Sequence, residues 1–192
     1  MQRSITTYLF PALFFLFVTL PQISFAWPAK VVSVTDGDTI KVTRDGHVVV
    51  IRLYGIDTPE KDQAYGQQAK DLTNALIMGR DVDIEQKDID HYKRIVGLVM
   101  VDGQSLNELI IRNGSGWVYQ RYCKEPICGE WNKLESIVRQ QKKGLWSDPD
   151  AVPPWEWRHR ENTQQDSSIA KNETPTILIG TLISEKSAIK QS

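Results

Sequence analysis

The sequence has few of the residues that build zinc sites and serine hydrolase sites. It contains only three histidines, scattered at positions 47, 91 and 159, and two cysteines with no other zinc-type ligand close by. No serine lies in a Gly-x-Ser-x-Gly context. The sequence therefore predicts neither a zinc centre nor a nucleophilic serine on a strand-to-helix elbow.

The chain also lacks an excess of basic residues. It has 23 Lys and Arg against 24 Asp and Glu, a net charge of −1. Removal of the first 26 residues would take away Arg3 and no acid, which lowers the net charge to −2. Proteins that coat nucleic acid usually show a basic excess. Composition therefore does not point to nucleic acid, although it allows an enzyme that holds phosphate with a few placed groups and a metal.

A single long hydrophobic run is present, and it lies at the N-terminus. Arg3 precedes an uncharged stretch from Ile5 to Leu20, and Ser24-Phe25-Ala26 forms a small-x-small cleavage pattern. These features are typical of a secretory signal peptide. We expect residues 1–26 to be removed and the product to be secreted or periplasmic, without stable membrane association. The alternative is an uncleaved anchor, although the run is slightly short for a membrane span.

The two cysteines agree with export. Cys123 and Cys128 are five positions apart, and such a pair in an oxidising compartment indicates a local disulfide. The bridge closes a small loop, so its stabilisation should be modest, about 2 kcal/mol.

Hydrophobic periodicity predicts three strands, a helix, two strands and two further helices. The Asp45-Gly46 pair between the second and third strands is a hairpin signal, and Ser105 with Glu108 forms a capping-box pattern. This order favours a mainly β, α+β domain: a five-stranded Greek-key barrel of the OB type with three α-helices. The strands are expected at 31–36, 39–43, 48–54, 81–87 and 95–101, and the helices at 63–78, from Ser105 to about 112, and 130–143.

The C-terminal part changes in composition. Three prolines surround Trp155 and Trp157 after Trp146, which indicates an ordered apolar strap if this segment docks. Beyond about Arg160 the chain is rich in Ser, Thr, Gln and Asn, typical of a flexible tail. The expected organisation is one folded domain over residues 27–160 and a tail over 161–192.

Four polar clusters stand out, and each has an ordinary structural interpretation. Asp36-Gly37-Asp38-Thr39 describes a hairpin turn, and Arg52 describes a strand charge in solvent. Asp57-Thr58-Pro59-Glu60 describes a helix entry, and Tyr92-Lys93-Arg94 a surface turn. Taken together, however, they supply carboxylates for a hard cation, a carboxylate for an attacking water and guanidiniums for a phosphate. The strand alternation also places Arg52 opposite Ile51 and Leu53, away from the core.

The same residues carry a family resemblance. The strings Val34-Thr35-Asp36-Gly37-Asp38-Thr39 and Ile51-Arg52-Leu53-Tyr54-Gly55-Ile56-Asp57-Thr58-Pro59-Glu60 resemble the two signature segments of the staphylococcal nuclease family. Asp90-His91-Tyr92-Lys93-Arg94 is similar to its third segment. The resemblance extends over about residues 31–147. It implies an OB barrel and a calcium-dependent endonuclease that cuts DNA and RNA and leaves 3′-phosphate ends.

The resemblance also implies a metal site. Asp38 and Asp57 would bind Ca²⁺ through their carboxylates, and Thr58 through its backbone carbonyl. Oxygen donors with room for water are the ligands that Ca²⁺ accepts.

The remaining roles follow from the same resemblance. Glu60 would act as general base or position the attacking water, and Arg52 and Arg94 would hold the scissile phosphate. Tyr92 and Tyr122 would lie beside the nucleotide. One departure concerns the turn before Arg94, where the family has Gly and this chain has Lys93, so we expect Arg94 to point in a slightly different direction.

Two alternatives remain open at this stage. One is a non-catalytic OB module that binds nucleic acid or a protein, and the other is an enzyme held at the membrane by its N-terminal segment. No interface pattern is evident, so we expect a monomer.

Overall fold

The computed structural model describes residues 25–161 and residue 163. The expected signal peptide and the expected flexible tail therefore lie almost entirely outside the described residues. Within the described part, no helix is long and apolar enough to span a bilayer.

Five strands form a closed barrel, as the sequence predicted. Its sheet runs in the order β3-β2-β1-β5-β6, with β7 added beside β6, and a parallel pairing of β3 with β6 closes it. Strands β4 and β8 form a separate two-stranded ribbon. The strands are β1 (Ala26–Val34), β2 (Thr39–Arg44), β3 (His47–Leu53), β4 (Ile56–Asp57), β5 (Asp81–Ile89), β6 (Ile95–Val101), β7 (Gln104–Ser105) and β8 (Trp117–Val118).

Alternating side chains of the barrel strands fill its interior. Each strand contributes β-branched residues that are at most 1% exposed, because successive side chains of a strand point to opposite faces. Between β2 and β3, Asp45 and Gly46 both have positive φ, of 50° and 79°. This is the geometry of the two-residue turn that an Asp-Gly pair favours, so the predicted hairpin is confirmed.

In the described part of the chain, four α-helices pack around the barrel, one more than predicted. Three of them are α1 (Gly66–Ile77), α2 (Leu106–Arg112) and α3 (Ile127–Gln140), and a short 3-10 turn covers Gly144–Ser147. The fourth, α4, covers residues 154–161 and corresponds to the proline-tryptophan strap. Ser105 caps α2 as expected by accepting a hydrogen bond from the Glu108 N–H, but the Glu108 carboxylate pairs with Arg112 instead of completing the capping box.

Asn107 connects α2 to the closure of the barrel. Its side chain is fully buried, accepts a hydrogen bond from the Val99 N–H at 3.1 Å and donates to the Tyr54 carbonyl at 2.9 Å. Val99 belongs to β6 and Tyr54 directly follows β3. The amide therefore joins the two strands just beyond their short parallel pairing, which covers only three residue pairs.

The predicted disulfide between Cys123 and Cys128 is present. It packs on the backbone at Gly55, where an added Cβ would lie 2.6 Å from the Cys123 sulfur. Gly55 also has a φ of 70°, which side chains rarely adopt. The disulfide loop is thus held against the end of β3, and it shapes the rim on which the polar clusters lie.

Candidate active site

Three of the four polar clusters meet at one end of the barrel. Asp38 lies just before β2 and Arg52 near the end of β3, and the pairing of Thr39 with Arg52 places them side by side. The Leu53 N–H also donates to the Asp38 carbonyl at 2.8 Å. Asp57 ends β4, the short strand that follows the turn at Gly55. Chain connectivity and strand register therefore bring these residues together.

Arg52 bridges the two aspartates. Its Nη1 lies 3.0 Å from Asp38 Oδ2 and its Nη2 lies 2.6 Å from Asp57 Oδ1. The three side chains are only 15%, 7% and 2% exposed. As the alternation predicted, Arg52 points away from the core, into a cluster of acids. Charge-assisted hydrogen bonds of this kind are short and directional, so the guanidinium is fixed in orientation.

Asp36, Asp38 and Asp57 form an acidic cluster that is largely shielded from water. Burial, together with the neighbouring Asp38 carboxylate, raises the pKa of Asp36 to about 6. Burial also raises the pKa of Asp57 to about 6, although Arg52 and Arg158 oppose the shift. A cation bound nearby would stabilise the ionised form of such buried carboxylates.

The donors in this cluster fit a hard cation. Asp38 Oδ2 already accepts hydrogen bonds from the N–H and the hydroxyl of Thr58, whereas Asp38 Oδ1 has only a long contact of 3.3 Å with the Thr39 hydroxyl. Within the described residues, no three His, Cys, Asp or Glu side chains are grouped to hold a metal. A cation at Asp38 and Asp57 would thus need carbonyl or water oxygens as well. Ca²⁺ accepts such ligands, and the donor set fits it.

Arg158, a residue for which the sequence predicted no role, connects Glu60 to this cluster. Arg158 in α4 donates from Nη1 to Glu60 Oε1 at 2.5 Å and from Nη2 to Asp57 Oδ2 at 2.8 Å. Asp57 therefore lies between two guanidiniums, those of Arg52 and Arg158. Periodicity did not predict this contact, because Arg158 is about a hundred positions from Asp57 and Glu60 along the chain. Only the Trp-rich composition around Arg158 indicated that this segment docks on the domain.

Arg94 and Tyr92 lie on a separate turn. Arg94 Nε donates to Asp90 Oδ2 at 2.7 Å, and its guanidinium lies 5.3 Å from the centre of the Tyr92 ring. Among the described contacts, none joins Arg94 to the carboxylates near Arg52. Lys93 adopts a φ of 65°, so the turn keeps a left-handed residue at the position where glycine was expected.

No contact within the described residues joins Tyr122 to the carboxylates near Arg52. Tyr122 is 56% exposed and packs edge-on against Tyr119, with ring centres 4.9 Å apart. Tyr92 is 68% exposed. Both tyrosines are accessible to a ligand.

A groove of about 690 Å³ adjoins the acidic cluster. Its wall includes Trp117, the strand partner of Asp57, so the groove begins beside the carboxylates. The one acid in its lining, Glu135, is already engaged by Arg139 and by the Val118 N–H. Aromatic rings and cations dominate the remaining surface, which includes Tyr119, Arg121, Arg139, Trp155, Arg158 and His159.

Comparison with known proteins identifies relatives of this chain. Residues 50–148 match the family described as staphylococcal nuclease homologue. An Escherichia coli protein described as an uncharacterized endonuclease is 42% identical over 153 residues, which cover 76% of this chain and 98% of the relative. A Shigella flexneri protein described as micrococcal nuclease is 35% identical, over 67% of this chain and 79% of the relative. A third, protein ParB of Escherichia coli, is 37% identical over 71% and 82%.

Proposed function

The chain belongs to the staphylococcal nuclease homologue family, and from this we propose that it is a nuclease that hydrolyses the phosphodiester bonds of DNA and RNA. The observation that carries the proposal is Arg52, which is fixed between Asp38 and Asp57 at the rim of the barrel. A guanidinium beside paired carboxylates offers one group for a phosphate and others for a divalent cation.

Each residue of the site has a separate role in the proposed reaction. Arg52 binds a non-bridging oxygen of the scissile phosphate and stabilises the charge that develops in the transition state. Arg94 supplies a second guanidinium once it leaves Asp90. Glu60 uses one oxygen for Arg158, and the other accepts the proton of the attacking water. Ca²⁺ held by Asp38, Asp57 and the Thr58 carbonyl would neutralise phosphate charge when bound.

The groove supports a polynucleotide substrate. Its rings and cations suit a strand whose bases stack and whose phosphates pair with arginine. Tyr92 and Tyr122, both exposed, are proposed to flank the nucleotides. Cleavage of the bond between phosphorus and the 5′ oxygen would leave 3′-phosphate and 5′-hydroxyl ends, and we propose these products.

We further propose that the enzyme acts outside the cytoplasm as a monomer. The proposal rests on the N-terminal pattern and on the disulfide between Cys123 and Cys128, because such bonds persist in oxidising compartments. Fractionation of expressing cells would test it, since an enzyme held by an uncleaved N-terminal segment would remain with the membranes.

The deciding experiment is digestion of plasmid, single-stranded DNA and single-stranded RNA with Ca²⁺ and with chelator. Arg52→Ala should cleave these substrates roughly 10²- to 10³-fold more slowly than wild type. Arg80→Ala is a matched control, since Arg80 pairs with exposed Asp102. Removal of the terminal phosphate by a 3′-phosphatase would identify the product. A folded wild-type chain that binds DNA and never cuts it would instead support a non-catalytic binding module.

A further inference from the structure

Helix α4 contacts the site from beyond residues 50–148, the stretch that the family model matches. The match ends at residue 148, whereas Arg158 lies in a segment that packs back onto the barrel. Trp155 stacks on Tyr119 with ring centres 4.9 Å apart and planes 7° from parallel. Trp155 also meets Trp117 edge-on at 6.5 Å. These contacts fix the start of α4 next to the ribbon strand that pairs with Asp57.

A second connection joins the same segment to the backbone of Glu60. The Gln63 side chain, which is only 7% exposed, accepts a hydrogen bond from the Glu60 N–H at 3.0 Å and donates to the Val152 carbonyl at 2.5 Å. Glu60 is thus held twice from the C-terminal segment, at its backbone through Gln63 and at its carboxylate by Arg158. A glutamate that starts a surface turn would otherwise have several rotamers open to it.

Arg158 contacts only one oxygen of Glu60. The hydrogen bond goes to Oε1, and among the described contacts Oε2 has no partner. The same guanidinium contacts both oxygens of Asp57, Oδ2 at 2.8 Å and Oδ1 at 3.4 Å. A rigid planar fork that bridges two carboxylates fixes the distance and angle between them, which a flexible ammonium cannot do.

The charges are consistent with a guanidinium that stays in place. Four carboxylates, Asp36, Asp38, Asp57 and Glu60, face the two guanidiniums of Arg52 and Arg158. The excess is two negative charges, which one divalent cation neutralises. Asp57 Oδ1 accepts from both guanidiniums, whereas Oδ2 accepts only one hydrogen bond and keeps a lone pair, so a cation at Oδ2 does not require Arg158 to leave.

We propose that Arg158 is a positioning residue of the active site, which orients Glu60 relative to Asp57 so that Glu60 Oε2 faces the attacking water. The inference rests on the proposed nuclease function. Groups that orient reacting carboxylates typically change activity by about 10- to 100-fold when they are removed. The Arg158 guanidinium is engaged by Asp57 and Glu60 and is not one of the groove cations that pair with phosphate, so its loss should lower kcat and leave KM for DNA nearly unchanged.

The test compares Arg158→Ala, Arg158→Lys and Arg160→Ala. Arg160 is the matched control, since it lies in the same helix and pairs with exposed Glu156 at 3.8 Å. Arg158→Ala should lose about 10- to 100-fold in kcat with less than about a threefold change in KM. Arg158→Lys should recover only part of the loss, and methylguanidinium added to Arg158→Ala should restore turnover. Arg160→Ala should behave as wild type.

A second measurement does not depend on catalysis. In chelator, the unfolding midpoints of Arg158→Ala, Glu60→Ala and the double variant should be non-additive, because the two side chains contact each other. If the wild type does not cut nucleic acid, the proposed function fails and this cycle still tests the contact. Additive midpoints, or an Arg158→Ala variant with unchanged or higher kcat, would overturn the proposal. A higher kcat would show that Arg158 obstructs the site.

Discussion

Asp38 Oδ2 accepts two hydrogen bonds from Thr58, one from its N–H at 2.7 Å and one from its hydroxyl at 2.9 Å. The two residues are twenty positions apart and both are buried. This pair of bonds joins the loop before β2 to the loop after β4, and it fixes the carboxylate on which Arg52 also rests. The geometry of the acidic cluster therefore depends on one threonine side chain.

Thr58→Val should destabilise the protein by about 1–2 kcal/mol, because the buried carboxylate loses a donor while the volume is kept. Urea unfolding in chelator would measure the change. Thr43→Val is the control, since the Thr43 hydroxyl makes only an exposed contact at 3.5 Å. Equal stability of Thr58→Val and wild type would show that the hydroxyl contributes nothing measurable.

Glu60→Gln should fold normally and lose roughly 10²–10⁴ in turnover, since the amide still accepts the hydrogen bond from Arg158 but cannot take a proton. Single-turnover cleavage of an end-labelled oligonucleotide would measure it. Glu156→Gln, on the exposed face of α4, should be unaffected. Near-native turnover of Glu60→Gln would remove Glu60 from the mechanism.

Ca²⁺ should support turnover and Mg²⁺ should support it poorly. The site offers two carboxylates and leaves several ligands to water, which suits the larger and more flexibly coordinated ion. Initial rates over a titration of each metal would decide this. Equal or faster cleavage with Mg²⁺ would contradict the calcium preference without affecting the nuclease assignment.

Lys93→Gly should stabilise the protein by about 1 kcal/mol, because it removes the penalty of a left-handed side-chain-bearing residue. Lys93→Ala keeps the φ of 65° and should bring no gain. Thermal unfolding of the two variants separates relief of strain from loss of the lysine charge. A stabilised alanine variant would show that charge, and not backbone geometry, is responsible.

Asp90→Asn should lower stability slightly at pH 7, and its effect should shrink as the pH falls below 3.8. Partial burial raises the pKa of Asp90, but the N–H groups of Arg94 and Tyr92 and the Arg94 guanidinium lower it on balance. A lowered pKa means that this stabilisation is complete above pH 3.8 and is lost as the pH falls through the folded value. Solvent screens the pair, so we expect less than about 1 kcal/mol. Unfolding curves at several pH values would show two curves that converge in acid; a constant gap would contradict this.

The parts of the fold that the sequence predicted are those that depend on local pattern. The bounds of β6 were predicted at both ends, because its apolar run stops at the Asp102-Gly103 turn. Helix α1 begins at Gly66, three residues later than expected, because residues 60–65 form turns and Tyr65 has a φ of 70°. Helix α3 begins earlier than expected, at Ile127, where the Cys123–Cys128 bridge fixes its first turn.

The candidate site could be predicted only where its residues lie near one another along the chain or on paired strands. Arg52 comes beside Asp38 through the pairing of β2 with β3, and Asp57 follows only five positions after Arg52. The place of Arg158 in the site could not be predicted in this way, since its contacts with Asp57 and Glu60 connect positions 101 and 98 residues apart. Long-range docking depends on the shape of a finished surface, and a single sequence does not encode that shape in any short pattern.

The buried amide of Asn107 has a consequence for how the barrel moves. The parallel pairing between β3 and β6 is short, and thermal opening of the barrel would begin where two strands share few backbone hydrogen bonds. Asn107 bonds to both sides of that junction, so the strands cannot part unless α2 shifts with them. Local fraying at this junction is thereby converted into a concerted event that involves helix and sheet. Arg52, which lies one residue before the end of β3, is therefore coupled through this junction to α2.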